Sequence, residues 1–178
     1  AGANVQLFVN SPCTGAVAAV TPVAPSGAFA ASATVPANQT SQIFARALDA
    51  AGNSSVCSTP IEFVHDASAP GEITLTHFEP SPPSQNVKPT LFGVAEPLSA
   101  ISIYQDAACG GAVIATGTSD LTGAFDIETP TGPNQKTVVT AQAKDDAGNK
   151  SNCSNSLEYV HDDKPPQPPA LESTKPAS

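Results

Sequence analysis

The chain has 178 residues, with 18 Pro, 12 Gly, no Met or Trp and only 13% charged side chains. That length holds one or two domains, and the composition favours short strands between many turns over helices. The net charge of −9 sets an acidic surface against any phosphate backbone and excludes nucleic acid as a partner. No stretch reaches the ~18 apolar residues that cross a bilayer, so this segment is not expected to insert in a membrane. No secretory leader opens it, and it reads as a mature chain or a piece of a longer one.

The sequence repeats with a period of 96 residues. Cys13 and Cys109, Cys57 and Cys153, and His65 and His161 all obey this offset. Laying residues 1–82 over 97–178 without a gap gives 26 identities in 82 positions. The densest block sets Asp49–Ser58 over Asp145–Ser154 and runs on into Glu62–Asp66 over Glu158–Asp162. A period of this size marks an array of domain-sized units, each with its own core, and is longer than a solenoid repeat.

In chain order, residues 1–66 read as a repeat lacking its first two strands. Residues 67–162 read as one complete unit, and 163–178 as the opening segment of a further one. Within the complete unit, Glu72–Phe78 is the first strand, with Ile73, Leu75 and His77 on one face. A Pro-rich turn leads to a second strand at Pro89–Ala95. Ala100–Gln105 follows, alternating Ile101, Ile103 and Gln105, and then Ala112–Gly117. Thr122-Gly123 opens Ala124–Glu128, with Phe125 and Ile127 on one face. Thr137–Ala143 sets Val139, Ala141 and Ala143 together, Asp146–Asn149 turns the chain, and Leu157–Val160 closes the unit. Seven short alternating strands with turns about every ten residues predict an all-β fold of tandem immunoglobulin-like antiparallel β-sandwiches. The core is thin in aromatic volume, so a disulfide worth roughly 2–4 kcal/mol is an expected supplement.

Several motifs carry a resemblance. Ile103-Tyr104 followed by Cys109-Gly-Gly111, Pro89–Pro97, Gly123-Ala-Phe125, Asp145–Asn149 and the exit Tyr159–Asp162 resemble the bacterial Ig-like tandem repeats of large cell-surface and adhesin proteins. The likeness covers essentially the whole chain. It implies a secreted stalk, fibre or adhesin on the cell surface and supplies no catalytic residues.

The four cysteines, Cys13, Cys57, Cys109 and Cys153, form no CxxC pair and have no neighbouring His, so disulfides in an oxidising compartment are expected rather than zinc. Pairing within each repeat, Cys13–Cys57 and Cys109–Cys153, is the simplest scheme. A staple between repeats, Cys13–Cys153, stays open, because in an ordinary immunoglobulin order Cys109 and Cys153 belong near opposite poles.

Oxygen-bearing side chains gather in loops and at domain exits: Asp49, Asn53, Asp66, Asp145, Asp146, Asn149, Asp162 and Asp163. Ca²⁺ takes six to eight such ligands, which makes Asp49, Asn53, Asp66, Asp145, Asn149 and Asp162 candidates. The competing reading, favoured in the absence of an EF-hand-like run, is that they build turns through side-chain bonds to the backbone. No other cofactor is expected.

His65 and His161 recur at the exit of each repeat and are expected to pack or hydrogen-bond there, whereas His77 has Ser173 as its counterpart. Glycan acceptor sequons begin at Asn38, Asn53, Asn149 and Asn152, a number that a chain rich in Asn, Ser and Thr produces by chance.

No nucleophile–base pair is legible, so an enzyme is not expected. The favoured function is an extracellular structural repeat of a bacterial fibre, filament or adhesin stalk. The alternative is an adhesion module that binds protein or glycan through loops at a sandwich pole. Expected partners are neighbouring repeats of the same protein. These include head-to-tail self-assembly, with residues 163–178 donating a strand to residues 1–66.

Overall fold

The computed structural model describes residues 2–170. The chain divides into two compact units, Ala1–Ser68 and Ala69–Ser178. Residues 163–170 belong to the second, carry no strand and are exposed. The remainder of the segment read as the opening of a further repeat, 171–178, lies outside the described residues.

The second unit is a two-layer sandwich of seven strands: β5 (Thr74–Glu79), β6 (Thr90–Val94), β7 (Ala100–Tyr104), β8 (Val113–Thr118), β9 (Ala124–Glu128), β10 (Lys136–Lys144) and β11 (Leu157–Val160). One sheet has the order β5-β6-β9 and the other β11-β10-β7-β8, with every pairing antiparallel. The alternation read from the sequence puts Ile101 and Ile103, Phe125 and Ile127, and Val139, Ala141 and Ala143 between the sheets, all buried. Ile73, Leu75, Phe78, Leu91 and Tyr159 complete the core. Gly93 on β6 leaves room for the Phe125 ring and the β5 backbone of its own sheet. A Cβ there would stand 2.3 Å from Phe125 Cζ and 2.6 Å from the Thr74 carbonyl oxygen.

One face assignment differs from the alternation. His77 does not continue the face of Ile73 and Leu75, because the β5–β6 register shifts between Leu75 and His77. The bulge turns Phe78 into the core, where its ring meets Tyr159 edge-on at 5.0 Å. His77 is left outside, stacked on Phe92 at 4.7 Å. An extra residue in one strand reverses every side chain beyond it.

The first unit has four strands, β1 (Asn4–Val9), β2 (Ala19–Pro22), β3 (Thr40–Leu48) and β4 (Ile61–Val64), in the single antiparallel sheet β2-β1-β3-β4. By the 96-residue offset these are the counterparts of β8, β7, β10 and β11. The counterpart of β9, residues 28–32, forms no strand here. In the second unit β9 is hydrogen-bonded to β6. Among the described residues of the first unit, no strand stands where β6 pairs with β9, and residues 28–32 join no ladder.

Candidate functional site

Each unit carries one disulfide, Cys13–Cys57 with Cα atoms 5.7 Å apart and Cys109–Cys153 with Cα atoms 5.8 Å apart. The objection that Cys109 and Cys153 belong at opposite poles is removed by the path of the chain. After the turn at Asp145–Asn149, residues 150–156 do not cross to the far pole but run back beside β10. Ser151 and Ser154 donate their backbone amides to the Ala143 and Ala141 carbonyls, each at 2.9 Å. From the other side, the loop after β7 folds over β10, and the Cys109 amide donates to Thr140 Oγ1 at 3.2 Å. Both cysteines thus flank the middle of β10. The first unit repeats the pattern, with the Ser55 and Ser58 amides on the Ala47 and Ala45 carbonyls, each at 2.9 Å.

The loop carboxylates are occupied by their own turns. Asp49 Oδ1 accepts the Asn53 amide at 2.8 Å while Oδ2 accepts Asn53 Nδ2 at 2.9 Å. Asp145 and Asn149 repeat both bonds at the same lengths. These hydrogen bonds stabilise the charged form. The Asn53 side chain, foremost, holds the Asp49 carboxyl below the usual carboxylate range, and Asn149 does the same for Asp145.

Two further aspartates behave alike and were not singled out from the sequence. The Asp106 carboxylate accepts the Ala108 and Gly110 amides, and Asp120 Oδ1 accepts the Thr122 hydroxyl and amide. Their pKa values are likewise lowered, chiefly by the Ala108 amide and the Thr122 side chain. The signal available was Asp followed two to four residues later by Ala, Thr or Gly, the pattern of an Asx turn.

Of the remaining calcium candidates, Asp66 Oδ1 accepts the Ser68 amide and Asp162 Oδ1 the Lys164 amide. The structure thus spreads the six candidates over separate turns and unit exits. Among the described residues, no three His, Cys, Asp or Glu side chains converge on a metal-sized site. Among the sequons, Asn38 and Asn53 spend their side chains on loop bonds to Ala67 and Asp49.

His161 is buried and central to a polar clasp. Its Nδ1 accepts the Asn134 amide at 2.8 Å, so Nε2 bears the proton and donates to the Gln85 carbonyl at 2.9 Å. Tyr159 Oη donates to the Asn86 carbonyl at 2.9 Å. The Ser84 amide donates to the Val160 carbonyl, and the Asp162 amide to that of Ser84. The clasp fastens the β5–β6 connection to β11. In the first unit, His65 Nδ1 accepts the Asn38 amide at 3.1 Å, the same bond by the repeat offset.

The first unit presents an apolar cleft of about 760 Å³ lined by Leu7, Phe29, Ile43, Ile61 and Phe63 among others. Strand pairing puts Leu7 opposite Ala45 and Ile43 opposite Ile61, so these residues share the face that is equivalent to the inner face of the second unit. No helix among the described residues is long and apolar enough to cross a membrane.

Residues 80–157 match the family model for the bacterial Ig domain. No curated protein matches the chain in sequence. Among solved structures, the chain is similar to the BSP domain of a biofilm associated protein, with 15% identity and a TM-score of 0.40 over 93% of this chain and 26% of that one. It is also similar to the D00-D0 domain of intimin, with 14% identity and a TM-score of 0.31 over 86% of this chain and 78% of that one. The chain thus spans about a quarter of the length of the first of these.

Proposed function

We propose that the chain, whose residues 80–157 match the family model for the bacterial Ig domain, is an extracellular structural repeat of a bacterial surface fibre, filament or adhesin stalk. The observation that carries this reading is the recurrence, 96 residues apart, of a disulfide that ties two irregular segments to each other across the long central strand. A covalent tie repeated in every unit limits how far each unit can be drawn out. Bonds of this kind persist in an oxidising, extracytoplasmic setting. Neighbouring repeats of the same protein are the natural partners, since the features that recur are those of the scaffold. The loop carboxylates and histidines spend their hydrogen bonds on their own turns and clasps, which leaves them structural tasks.

The other reading, an adhesion module acting through loops at a sandwich pole, makes the opposite forecast in a binding assay. The chain is immobilised and titrated against a panel of surface glycans and extracellular matrix proteins. A structural repeat gives no saturable binding. Saturable binding abolished by substitutions in the 105–112 or 145–149 loops would replace the structural reading with the adhesive one.

A further inference from the structure

His161 is 2% exposed, and both of its ring nitrogens are taken up by backbone groups with fixed roles. The Asn134 amide can only donate, so Nδ1 accepts. The Gln85 carbonyl can only accept, so Nε2 carries the proton. The neutral ring satisfies both bonds, and in one tautomer alone. A second proton goes to Nδ1, the remaining lone pair. It would set an N–H against the N–H of Asn134 across 2.8 Å.

The charged groups around the ring do not receive such an N–H. Lys136, Asp162 and Lys164 line the recess beside it. Lys136 pairs with Glu158 at 2.5 Å, and the Asp162 carboxylate accepts the Lys164 amide. Asp163 enters through its own amide, which donates to Asn134 Oδ1. The β5–β6 connection faces the clasp with Ser84, Gln85 and Asn86, which do not ionise, and its Lys88 pairs with Glu128 at 3.3 Å. The imidazole bonds to Asn134 and Gln85 instead of to any of these carboxylates.

Three segments meet at this ring. Nδ1 holds the turn at Asn134, whose φ is +50°, and Nε2 holds the β5–β6 connection. The His161 amide itself donates to the Gln135 carbonyl at 3.0 Å. β11 is an outer strand of its sheet. On the side away from β10 it is covered by Ser84, which bridges to His161 in parallel fashion. The Nδ1 half of the arrangement recurs 96 residues earlier, where His65 accepts the Asn38 amide.

We propose that His161 is an acid-sensitive latch. Protonation of Nδ1 breaks the Asn134 bond, and a buried imidazolium with an unmatched N–H leaves for water. The Gln85 bond goes with it, residues 84–86 loosen from β11, and the outer edge of that strand opens to pairing. The open latch takes up a proton that the closed one does not hold, so falling pH favours opening. The inference is independent of the scaffold role, since it concerns one joint within one unit.

The test follows the intact chain by NMR from about pH 7.5 to about pH 5, above the range in which the turn-forming aspartates titrate. Imidazole nitrogen shifts report the tautomer and charge of His161. Amide hydrogen exchange, corrected for the intrinsic effect of pH, reports closure of the clasp. As His161 takes its proton, protection at Ser84, Asn134 and Asp162 is expected to fall together by at least about tenfold, with β6 and β7 unchanged. His161→Asn keeps an acceptor for the Asn134 amide and cannot become charged. His161→Gln keeps a donor toward Gln85 and cannot either. In both variants the three amides are expected to lose their pH dependence. A charged His161 with those amides still protected would overturn the proposal. So would protection that stays level over the whole range, or a pH-dependent loss that persists in both variants.

Discussion

Asn155 and Leu75, 80 residues apart, are joined as two strands would be: Asn155 Oδ1 accepts the Leu75 amide at 2.9 Å and Asn155 Nδ2 donates to the Leu75 carbonyl at 3.1 Å. One side chain thus replaces a missing stretch of β-ladder. It ties β5 to the irregular segment that carries Cys153, and so links the two sheets at the edge where their backbones do not pair. The counterpart of Asn155 in the first unit is Thr59, which has no amide to make such a pair of bonds.

Asn155→Ala therefore strands both backbone groups of a buried residue. A buried polar group left without its partner costs roughly 1–3 kcal/mol, and a loss of about 2–4 kcal/mol is expected for the second unit in denaturant unfolding. Asn155→Asp keeps the acceptor and loses the donor, and falls between the two.

Gly123 and its repeat counterpart Gly27, both left-handed, allow a sharper test of packing. Gly123→Ala forces a side chain into left-handed backbone, at about 1–2 kcal/mol, and in addition drives its Cβ onto the Ala95 carbonyl. Gly27→Ala incurs the conformational cost alone. Unit-resolved hydrogen exchange is expected to show a much larger loss of protection from Gly123→Ala than from Gly27→Ala.

Thr137 is buried and its hydroxyl has no hydrogen-bond partner among the described residues, as is true of Ser41 at the matching place. Removing an unsatisfied buried hydroxyl while keeping the shape is neutral to favourable. Thr137→Val is expected to raise the stability of the second unit by up to about 1 kcal/mol, read as a higher denaturant midpoint at unchanged slope.

Acid stability follows from the four turn-forming aspartates. Asp49, Asp106, Asp120 and Asp145 have carboxyls lowered in the folded chain by hydrogen bonds from their own loops. A group with a lower pKa folded than unfolded stabilises fully above its unfolded value, about 3.9 for Asp. That stabilisation is lost as pH falls through the folded value. Stability from these groups is therefore expected to be level from neutral pH down to about 5 and to decline below about 4. Replacing all four by Asn should flatten that acid limb in pH-dependent unfolding.

Much of the fold is legible in the sequence because alternation and repetition speak independently. Ala124–Glu128 and Leu157–Val160 are bounded by turn residues on both sides, and their limits agree with the structure. His77 is misassigned because a bulge leaves no mark in the hydrophobic pattern until Phe78 is read as the buried residue. The cysteine pairing stays open in the sequence because it depends on residues 150–156 running back along β10, a path set by Ser151, Ser154 and Asn155 rather than by any periodicity. The exposure of Phe29 and Phe63, at places matching buried Phe125 and Tyr159, agrees with the reading of residues 1–66 as a repeat without its first two strands.

The most direct measurement of the stapled-repeat account is single-chain force extension of the intact protein, with and without reductant. The disulfide withholds the 44-residue span from Cys109 to Cys153, about 15 nm of extended chain at ~3.4 Å per residue. The account predicts that reduction lengthens the unfolding step of the second unit by about that amount and lowers its unfolding force. Steps of equal length in both conditions would contradict it, since the covalent tie would then carry no load.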